Sequence, residues 1–463
     1  MLVKIALPKG RLLEPTSAML QKAGWGLDEY DKKARSYHLK SQKFPSTEVK
    51  VFHEKDIPIQ VAVGNYDLGV CGLDWVEELL AKYPNSAIVK IKSLGYGAGT
   101  LFVAASQWGE LTALAQIKAS DRNIRIASEY PNLAEAFALR SRLGRFSVFP
   151  VWGGADVYPP ENAELVLVSG TEAELKGCGM VPVSRFLSFG ALLIANRTSW
   201  ETEDLGQIVA SLGDGVGGEV APAEKCVLYS RLPEIDDDTL RLALPDGHQQ
   251  PPTLELLSTA GIKIDDYPSP TGNRRPQVQL DGVVAKVIRP QDMPLQVANG
   301  NFDLAITGKD WLKEHLYQFP SSPVKEIVDL KFGWVRLVAV VSPKLGVDDA
   351  PGLRRFCAGR AAPLRLASEY VNIADRYARD NRLGHYRVVP TWGATEAFLP
   401  DDADVLIENT QTGQTIARHN LKIIDTLFES TACLVGNTGL DFSSRRGKRA
   451  MSVIDSLRRA VEG

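Results

Sequence analysis

Cysteine, methionine and histidine are scarce in this chain: 463 residues contain five Cys, five Met and six His. The cysteines (Cys71, Cys178, Cys226, Cys357 and Cys433) are scattered, odd in number and never spaced as Cys-x-x-Cys. That pattern argues against zinc and against disulfides, and for reduced, mostly buried thiols. The histidines (His38, His53, His248, His315, His385 and His419) never adopt a metal-ligand spacing, so no structural metal is expected. A surplus of one charge is missing as well: 53 Lys and Arg stand against 56 Asp and Glu, a net charge of -3. Neither nucleic acid nor a membrane is therefore an expected partner. No apolar run reaches the roughly 18 residues that a membrane span needs, and the chain opens on the strand-like Leu2–Leu7 without a signal-peptide pattern. A cytoplasmic location is the expectation. No Walker A sequence occurs, so ATP, if bound, is not held in a P-loop.

What is present is a duplication. Gly64-Asn65-Tyr66-Asp67-Leu68-Gly69-Val70-Cys71-Gly72-Leu73-Asp74-Trp75 returns as Gly300-Asn301-Phe302-Asp303-Leu304-Ala305-Ile306-Thr307-Gly308-Lys309-Asp310-Trp311, with seven of twelve positions identical. The period is half the chain, far beyond the roughly 20–50 residues of a solenoid repeat. Ala6–Gly10 likewise pairs with Ala243–Gly247, Asp56-Ile57-Pro58 with Asp292-Met293-Pro294, Ala127–Asn132 with Ala367–Asn372, and Trp152-Gly153 with Trp392-Gly393. Two homologous modules fill nearly everything.

Each module alternates apolar strands with helices, which implies an α/β fold with parallel sheet covered on both faces. Leu101–Ala105 and Leu337–Val341 read as crossings into a second lobe, and Ala191–Ile194 and Ala432–Val435 as the return. The expected first module spans 1–197, with lobes of 1–97 plus 186–197 and of 98–185. A linker spans 198–238, with Gly213–Gly218 as its flexible point. The second module spans 239–463, with lobes of 239–334 plus 427–463 and of 335–426. Two-lobed folds of this kind bind anions where strand ends and helix N-termini face the cleft.

Two segments carry the strongest chemical signal. Glu408-Asn409-Thr410-Gln411-Thr412-Gly413-Gln414-Thr415 follows the strand-like Asp404–Ile407, and its hydroxyls and backbone N–H groups suit a phosphate. An ordinary helix cap is the plain alternative. The matching first-module segment, Val168-Ser169-Gly170-Thr171-Glu172-Ala173-Glu174-Leu175, has lost the leading carboxylate and gained two acids. The first module instead keeps the basic turn Lys9-Gly10-Arg11, able to hold phosphate oxygens. Solvated surface charge is its alternative reading. The second module has Asp246 and His248 there. Asp67, Asp74, Asp303 and Asp310 recur in both copies and are expected in the cleft loops, as helix caps or as ligands. Trp75 and Trp311, equivalent in position, are expected in the core.

The ordered set Leu7-Pro8-Lys9-Gly10-Arg11-Leu12, Asp56-Ile57-Pro58, Gly64 to Asp74, Tyr130-Pro131-Asn132-Leu133 and Thr412-Gly413-Gln414-Thr415 resembles the ATP phosphoribosyltransferase family, over both halves. The resemblance implies a two-lobed type II periplasmic-binding-protein-like fold in each module. It implies Mg²⁺-dependent attack by N1 of ATP on the anomeric carbon of phosphoribosyl pyrophosphate, expelling pyrophosphate in the first step of histidine biosynthesis. By the same resemblance, Thr410, Thr412, Gly413, Gln414 and Thr415 cradle the sugar 5-phosphate, and Glu408 with Asp404 holds the ribose hydroxyls. Lys9, Gly10 and Arg11 face the pyrophosphate or nucleotide. Arg35, Arg274 or Arg275, and Arg289 match family arginines that reach pyrophosphate, some across a dimer interface. Asp156 and Glu396 match a family acid near the cleft. Metal ligands remain unassigned. Fusion of two short-form units would imitate a dimer internally, and a homo-oligomer or a separate regulatory subunit stays open.

The chain departs from that pattern. Lys9 and the Thr-Gly-x-Thr loop belong to different modules, Gln411 replaces an acid, Glu129 and Glu369 replace lysines, and His53 stands where the second copy has Arg289. A single-site transferase working from the second module is the leading expectation. A catalytically degenerate nucleotide-binding or regulatory paralogue is the alternative, and a solute-binding protein is a third reading that the lack of a signal peptide disfavours.

Overall fold

A computed structural model describes residues 2–27, 29–31, 37–212, 232, 235–393 and 395–462. The chain divides into two compact units. Unit 1 comprises Met1–Pro150, Tyr158–Glu224 and Trp392–Ala397, and unit 2 comprises Val151–Val157, Lys225–Thr391 and Phe398–Gly463. A short segment of each repeat is thus counted with the other unit. No helix among the described residues is long and apolar enough to cross a membrane.

In unit 1 one lobe is a six-stranded sheet ordered His38–Leu39, Thr47–His53, Val3–Lys9, Leu68–Gly72, Ala191–Asn196, Ile88–Ser93. Val3–Lys9 runs parallel to both neighbours, whereas Ala191–Asn196 returns antiparallel to its own. The other lobe is a five-stranded sheet ordered Met180–Phe189, Gly99–Ser106, Leu165–Gly170, Ile124–Ser128, Phe146–Pro150. Buried Ile5, Leu7, Val49, Val70 and Leu193 anchor the first core, and Leu101, Val103, Ile126 and Leu167 the second. These strands are apolar along both faces because helices cover both, as parallel pairs demand.

Unit 2 repeats the plan. Its first sheet runs Val283–Ile288, Leu240–Pro245, Leu304–Gly308, Ala432–Asn437, Val324–Asp329. Its second runs Tyr386–Pro390, Leu364–Ser368, Val405–Thr410, Val335–Val341, Lys422–Ser430. In both units a strand returning from the other lobe is inserted antiparallel, the expected type II periplasmic-binding-protein-like arrangement. The helix Arg445–Glu462 closes the core of unit 2's first sheet through Ala450, Val453, Ile454 and Leu457, whose spacing puts them on one face.

Four expectations need adjusting. The sheets are mixed rather than parallel, because each return strand enters from the other lobe in the opposite sense. The second lobes extend to Phe189 and Ser430, where the edge strands still pair. Residues 198–212, expected in the linker, include the helix Gly206–Ser211, and Leu205, Ile208 and Leu212 join the first core. Gly213–Gly218 and the linker as far as 231 lie outside the described residues. Finally, Cys71, Cys357 and Cys433 are free, but Cys178 is disulfide-bonded, against the expectation of reduced thiols. Cys71 and Cys433 are interior strand residues, whereas Cys178 ends a short helix at half-burial.

Candidate functional site

The strand Val405–Thr410 delivers the phosphate-type loop at its C-terminal end. Thr410 is buried and its Oγ1 accepts the Gly413 N–H at 2.9 Å, folding the loop back on itself. Gly413 has φ 75°, a left-handed conformation that a Cβ would strain, and no atom lies within 4 Å of where a Cβ would sit. Gln411, Thr412, Gln414 and Thr415 are exposed and Glu408 is half-buried. The helix that follows, Gln414–Arg418, is only five residues long, so hydroxyls and N–H groups rather than a long helix dipole define the loop.

A hydrogen-bonded chain leads from this loop into the other lobe. Asn409 Nδ2 donates to Tyr370 Oη at 2.7 Å, and that hydroxyl donates to Asp310 Oδ2 at 2.7 Å. Ser430 Oγ donates to Asp310 Oδ1 at 3.0 Å and accepts the Asp310 N–H at 3.0 Å. Burial first, and Asp310 second, hold the Tyr370 phenol well above its ordinary pKa, so it remains a donor.

Aromatic contacts continue the path. Trp311 stacks on Tyr370 at 4.3 Å between centroids, and Trp152 lies 5.7 Å from Trp311. The Trp152 N–H donates to Asp292 at 3.1 Å, which fixes the segment Val151–Val157 within unit 2.

That segment lies over the expected arginines. Arg275 Nη2 donates to the Val157 carbonyl at 2.9 Å. Arg274 and Arg289 reach Asp246 Oδ2 at 3.4 Å and 3.1 Å. Gly154, at φ 64°, leaves room for Arg274: a Cβ there would come within 2.9 Å of the guanidinium carbon. Arg274, Arg275, Arg289, Asp246 and the 408–415 loop are thus linked through Trp152, Trp311, Tyr370 and Asn409. Arg35, expected to play the equivalent part in the first module, lies outside the described residues.

The first module is built differently at the same places. Arg11 donates to Glu54 at 2.7 Å and to both Asp74 oxygens at 2.7 Å, and its guanidinium lies 4.7 Å from the Phe189 ring centroid. Burial alone would lower its pKa, yet Glu54 and Asp74 raise it and keep the charge. Arg11 is therefore a half-buried cation already held by two buried carboxylates. Lys9 remains exposed beside Tyr37, 5.4 Å from its ring centroid. Burial and Glu396 push the Tyr37 phenol up to about 12. Tyr130 donates to Asp74 at 2.8 Å. Lys55 pairs with Glu129 at 2.8 Å and lies 4.7 Å over the Trp75 ring, tying one lobe to the other. The counterpart of the 408–415 loop closes into a capping box: Glu174 N donates to Thr171 Oγ1 at 3.2 Å, and Thr171 N donates to Glu174 Oε2 at 2.7 Å. Here the helix-cap alternative is the observed one.

Several expected ligands sit away from the clefts. Asp404 precedes its strand and pairs with Arg360 at 3.2 Å and Arg365 at 3.3 Å, so its carboxylate is held by protein cations at the strand's start. Glu164 does the same with Arg125 in the first module. Asp67 accepts from Lys4 N at 2.7 Å and from Ser199 Oγ at 2.6 Å. Asp303 pairs with Arg241 at 2.9 Å. Both pin the strand starts and are not cleft-loop residues, whereas Asp74 and Asp310 sit where the lobes meet. Asp156 falls in Val151–Val157 and Glu396 in Trp392–Ala397.

Glu54, Lys55 and Tyr370 escaped the sequence reading as site residues, and Asn409 was read only as part of its loop. Also missed were Glu78 and Glu314, which accept the N–H groups of Asn132 at 2.9 Å and Asn372 at 2.8 Å across the lobes. Glu78 and Glu314 each stand four residues after the repeated aspartate, Asp74 or Asp310, and that was the available signal.

Three comparisons bear on this geometry. The family model described as "HisG: ATP phosphoribosyltransferase" matches residues 53–214 and 289–459. An ATP phosphoribosyltransferase of Chlorobaculum parvum is 32% identical over 209 residues, covering 43% of this chain and 64% of that protein. One from Chlorobium phaeobacteroides is 33% identical over 208 residues, with the same coverages of 43% and 64%. The chain therefore spans less than two thirds of the length of these relatives. Among solved structures, an ATP phosphoribosyl transferase (HisG:HisZ) complex from Thermotoga maritima aligns with a TM-score of 0.40 at 21% identity, covering 48% of this chain and 99% of that one. The alkanesulfonate-binding protein SsuA of Xanthomonas axonopodis aligns with a TM-score of 0.31 at 14% identity, covering 45% of this chain and 71% of that one.

Proposed function

We propose that this chain, which belongs to the ATP phosphoribosyltransferase family, transfers phosphoribosyl from phosphoribosyl pyrophosphate to N1 of ATP. The N1–C1 bond forms, the C1–oxygen bond to pyrophosphate breaks, and pyrophosphate leaves with the electron pair. The observation that supports a working second module is its loop: exposed Thr412 and Thr415 flank a left-handed Gly413 over open space. There the 5-phosphate would meet hydroxyls and N–H groups, and Glu408 would accept from the ribose hydroxyls. Arg274, Arg275 and Arg289 would neutralise the departing pyrophosphate, the largest charge the reaction creates. Nucleotide or pyrophosphate contacts from the first module fall to Lys9 and Gly10, because Arg11 could leave only by abandoning two buried carboxylates.

Mg²⁺ would enter on the pyrophosphate, which supplies oxygen ligands of its own. The half-buried Glu408 carboxylate at the loop fits an ion held chiefly by substrate and water. Bound there, Mg²⁺ would screen the leaving group's charge. Fusion would let the two modules serve as an internal pseudo-dimer.

A second reading has its own observation. Asp246 already sits against Arg274 and Arg289, and Lys55–Glu129 bridges the first module's lobes, as in a nucleotide-binding regulatory paralogue without turnover. An assay of pyrophosphate release with ATP, phosphoribosyl pyrophosphate and Mg²⁺ separates them. Release establishes the transferase, and binding without release establishes the paralogue.

A further inference from the structure

We propose that Arg336 is an anion-binding residue of the second module, placed to take an oxygen of the phosphate seated by the 408–415 loop. The inference rests on the loop assignment above and adds a residue to it.

The strand Val335–Val341 lies between Val405–Thr410 and Lys422–Ser430, and Arg336 is the register partner of Thr410 on one side and Glu429 on the other. Directly paired residues of neighbouring antiparallel strands project from the same face, with Cβ atoms about 4.5–5.5 Å apart. Thr410 turns its hydroxyl into the loop to hold the Gly413 N–H, so Arg336 leaves the sheet on the loop's side. A guanidinium on that stem reaches well past the loop's base.

Its hydrogen bonding is unusual for arginine. Nε is buried and has no hydrogen-bond partner among the described residues. The nearest strand partner, Glu429, accepts instead from Trp334 Nε1 at 3.3 Å. The Arg336 guanidinium carbon lies 5.9 Å from the Trp334 ring centroid. Buried donors are nearly always satisfied, and one left open destabilises the fold unless a ligand completes it. Arginine is also the side chain whose planar fork fits phosphate oxygens.

The first module supplies the contrast. Its residue at this place is Thr100, between Gly170 and Ser188, beside the loop that has become a capping box. The arginine and the open loop occur together, and are absent together.

The test uses the full chain and three variants: Arg336→Met, Arg336→Lys and Thr100→Val. Thermal midpoints are measured with and without inorganic pyrophosphate and phosphoribosyl pyrophosphate. A residue kept for an anion should make Arg336→Met more stable than the parent in buffer alone, because an unpaired buried donor is gone. The same variant should weaken binding of phosphoribosyl pyrophosphate roughly 10- to 100-fold. Arg336→Lys should recover part of that affinity, and Thr100→Val none should be lost.

A lower midpoint for Arg336→Met in buffer alone would mark a structural arginine and overturn the proposal. So would unchanged affinity in that variant, or a parent protein that responds to neither anion. Failure of the transferase reading looks different: anion binding that depends on Arg336, with no pyrophosphate released.

Discussion

In the first module the aspartate that follows Gly72 meets a guanidinium; in the second, the aspartate that follows Gly308 meets a serine and a tyrosine that reaches the 408–415 loop. The two aspartates occupy the same place in the repeat and receive the same phenolic donor, Tyr130 or Tyr370. What differs is the remainder of each network. Arg11 and Glu54 fill the first cleft with a closed ion-pair cluster, while His248 and Pro290 occupy the equivalent places in the second. Duplication let one copy consolidate as structure while the other kept exposed hydroxyls, an open glycine and a cluster of arginines. A lone chemical group matters less here than whether its partners come from the protein or are left for a ligand.

That contrast can be broken most severely at Arg11. Arg11→Ala should leave the buried Glu54 and Asp74 carboxylates without their cation, costing about 3–5 kcal/mol in denaturant unfolding. His248→Ala, its counterpart, should change stability little. Equal effects would mean that the first cluster is not the buried network inferred from its geometry.

Next in size is the loop. Thr412→Ala combined with Gly413→Ala should weaken phosphoribosyl pyrophosphate binding on the order of 100-fold, through lost hydrogen bonds and a strained left-handed residue. Any crowding by a methyl at Gly413 has to come from the ligand, since protein atoms leave the space open. Matching changes at Gly170 and Thr171 should leave affinity unaltered.

Tyr370→Phe should weaken the same binding roughly tenfold by releasing Asn409, and amide exchange at 410–415 should quicken. Tyr130→Phe should do neither. The last effect concerns acid stability. Burial first, then Lys55 and Lys9, push His53 down to about 4 from an ordinary 6.5. The folded state therefore binds fewer protons than the unfolded one between those values. Stability is fully present above about pH 6.5 and is lost as pH falls toward about 4. His53→Gln should flatten that decline in a chemical-denaturation series, and an unchanged slope would remove His53 from the account.

The duplication, the lobes and the crossings were legible because apolar periodicity and repeated motifs are local properties of sequence. So was the loop at 408–415, since hydroxyls and glycine after a strand limit the backbone's choices. Partnership was not legible. Arg11 read as a phosphate ligand because Glu54 is far away in sequence, and only the pairing of Val3–Lys9 with Thr47–His53 brings them together. Asp404 read as a ribose ligand, although Arg365 on the neighbouring strand claims it. The Cys178 disulfide was missed because spacing along the chain says nothing about distance across it. Arg336 was hidden in an apolar strand, and only its exchange for Thr100 between the repeats marked it.

The claim that one module kept the sugar-phosphate site is tested most directly by calorimetric titration of the full chain with phosphoribosyl pyrophosphate and Mg²⁺, alongside the Thr412→Ala/Gly413→Ala variant. The account predicts one site per chain, lost in the variant. Two sites per chain, or a site that survives those substitutions, would contradict it.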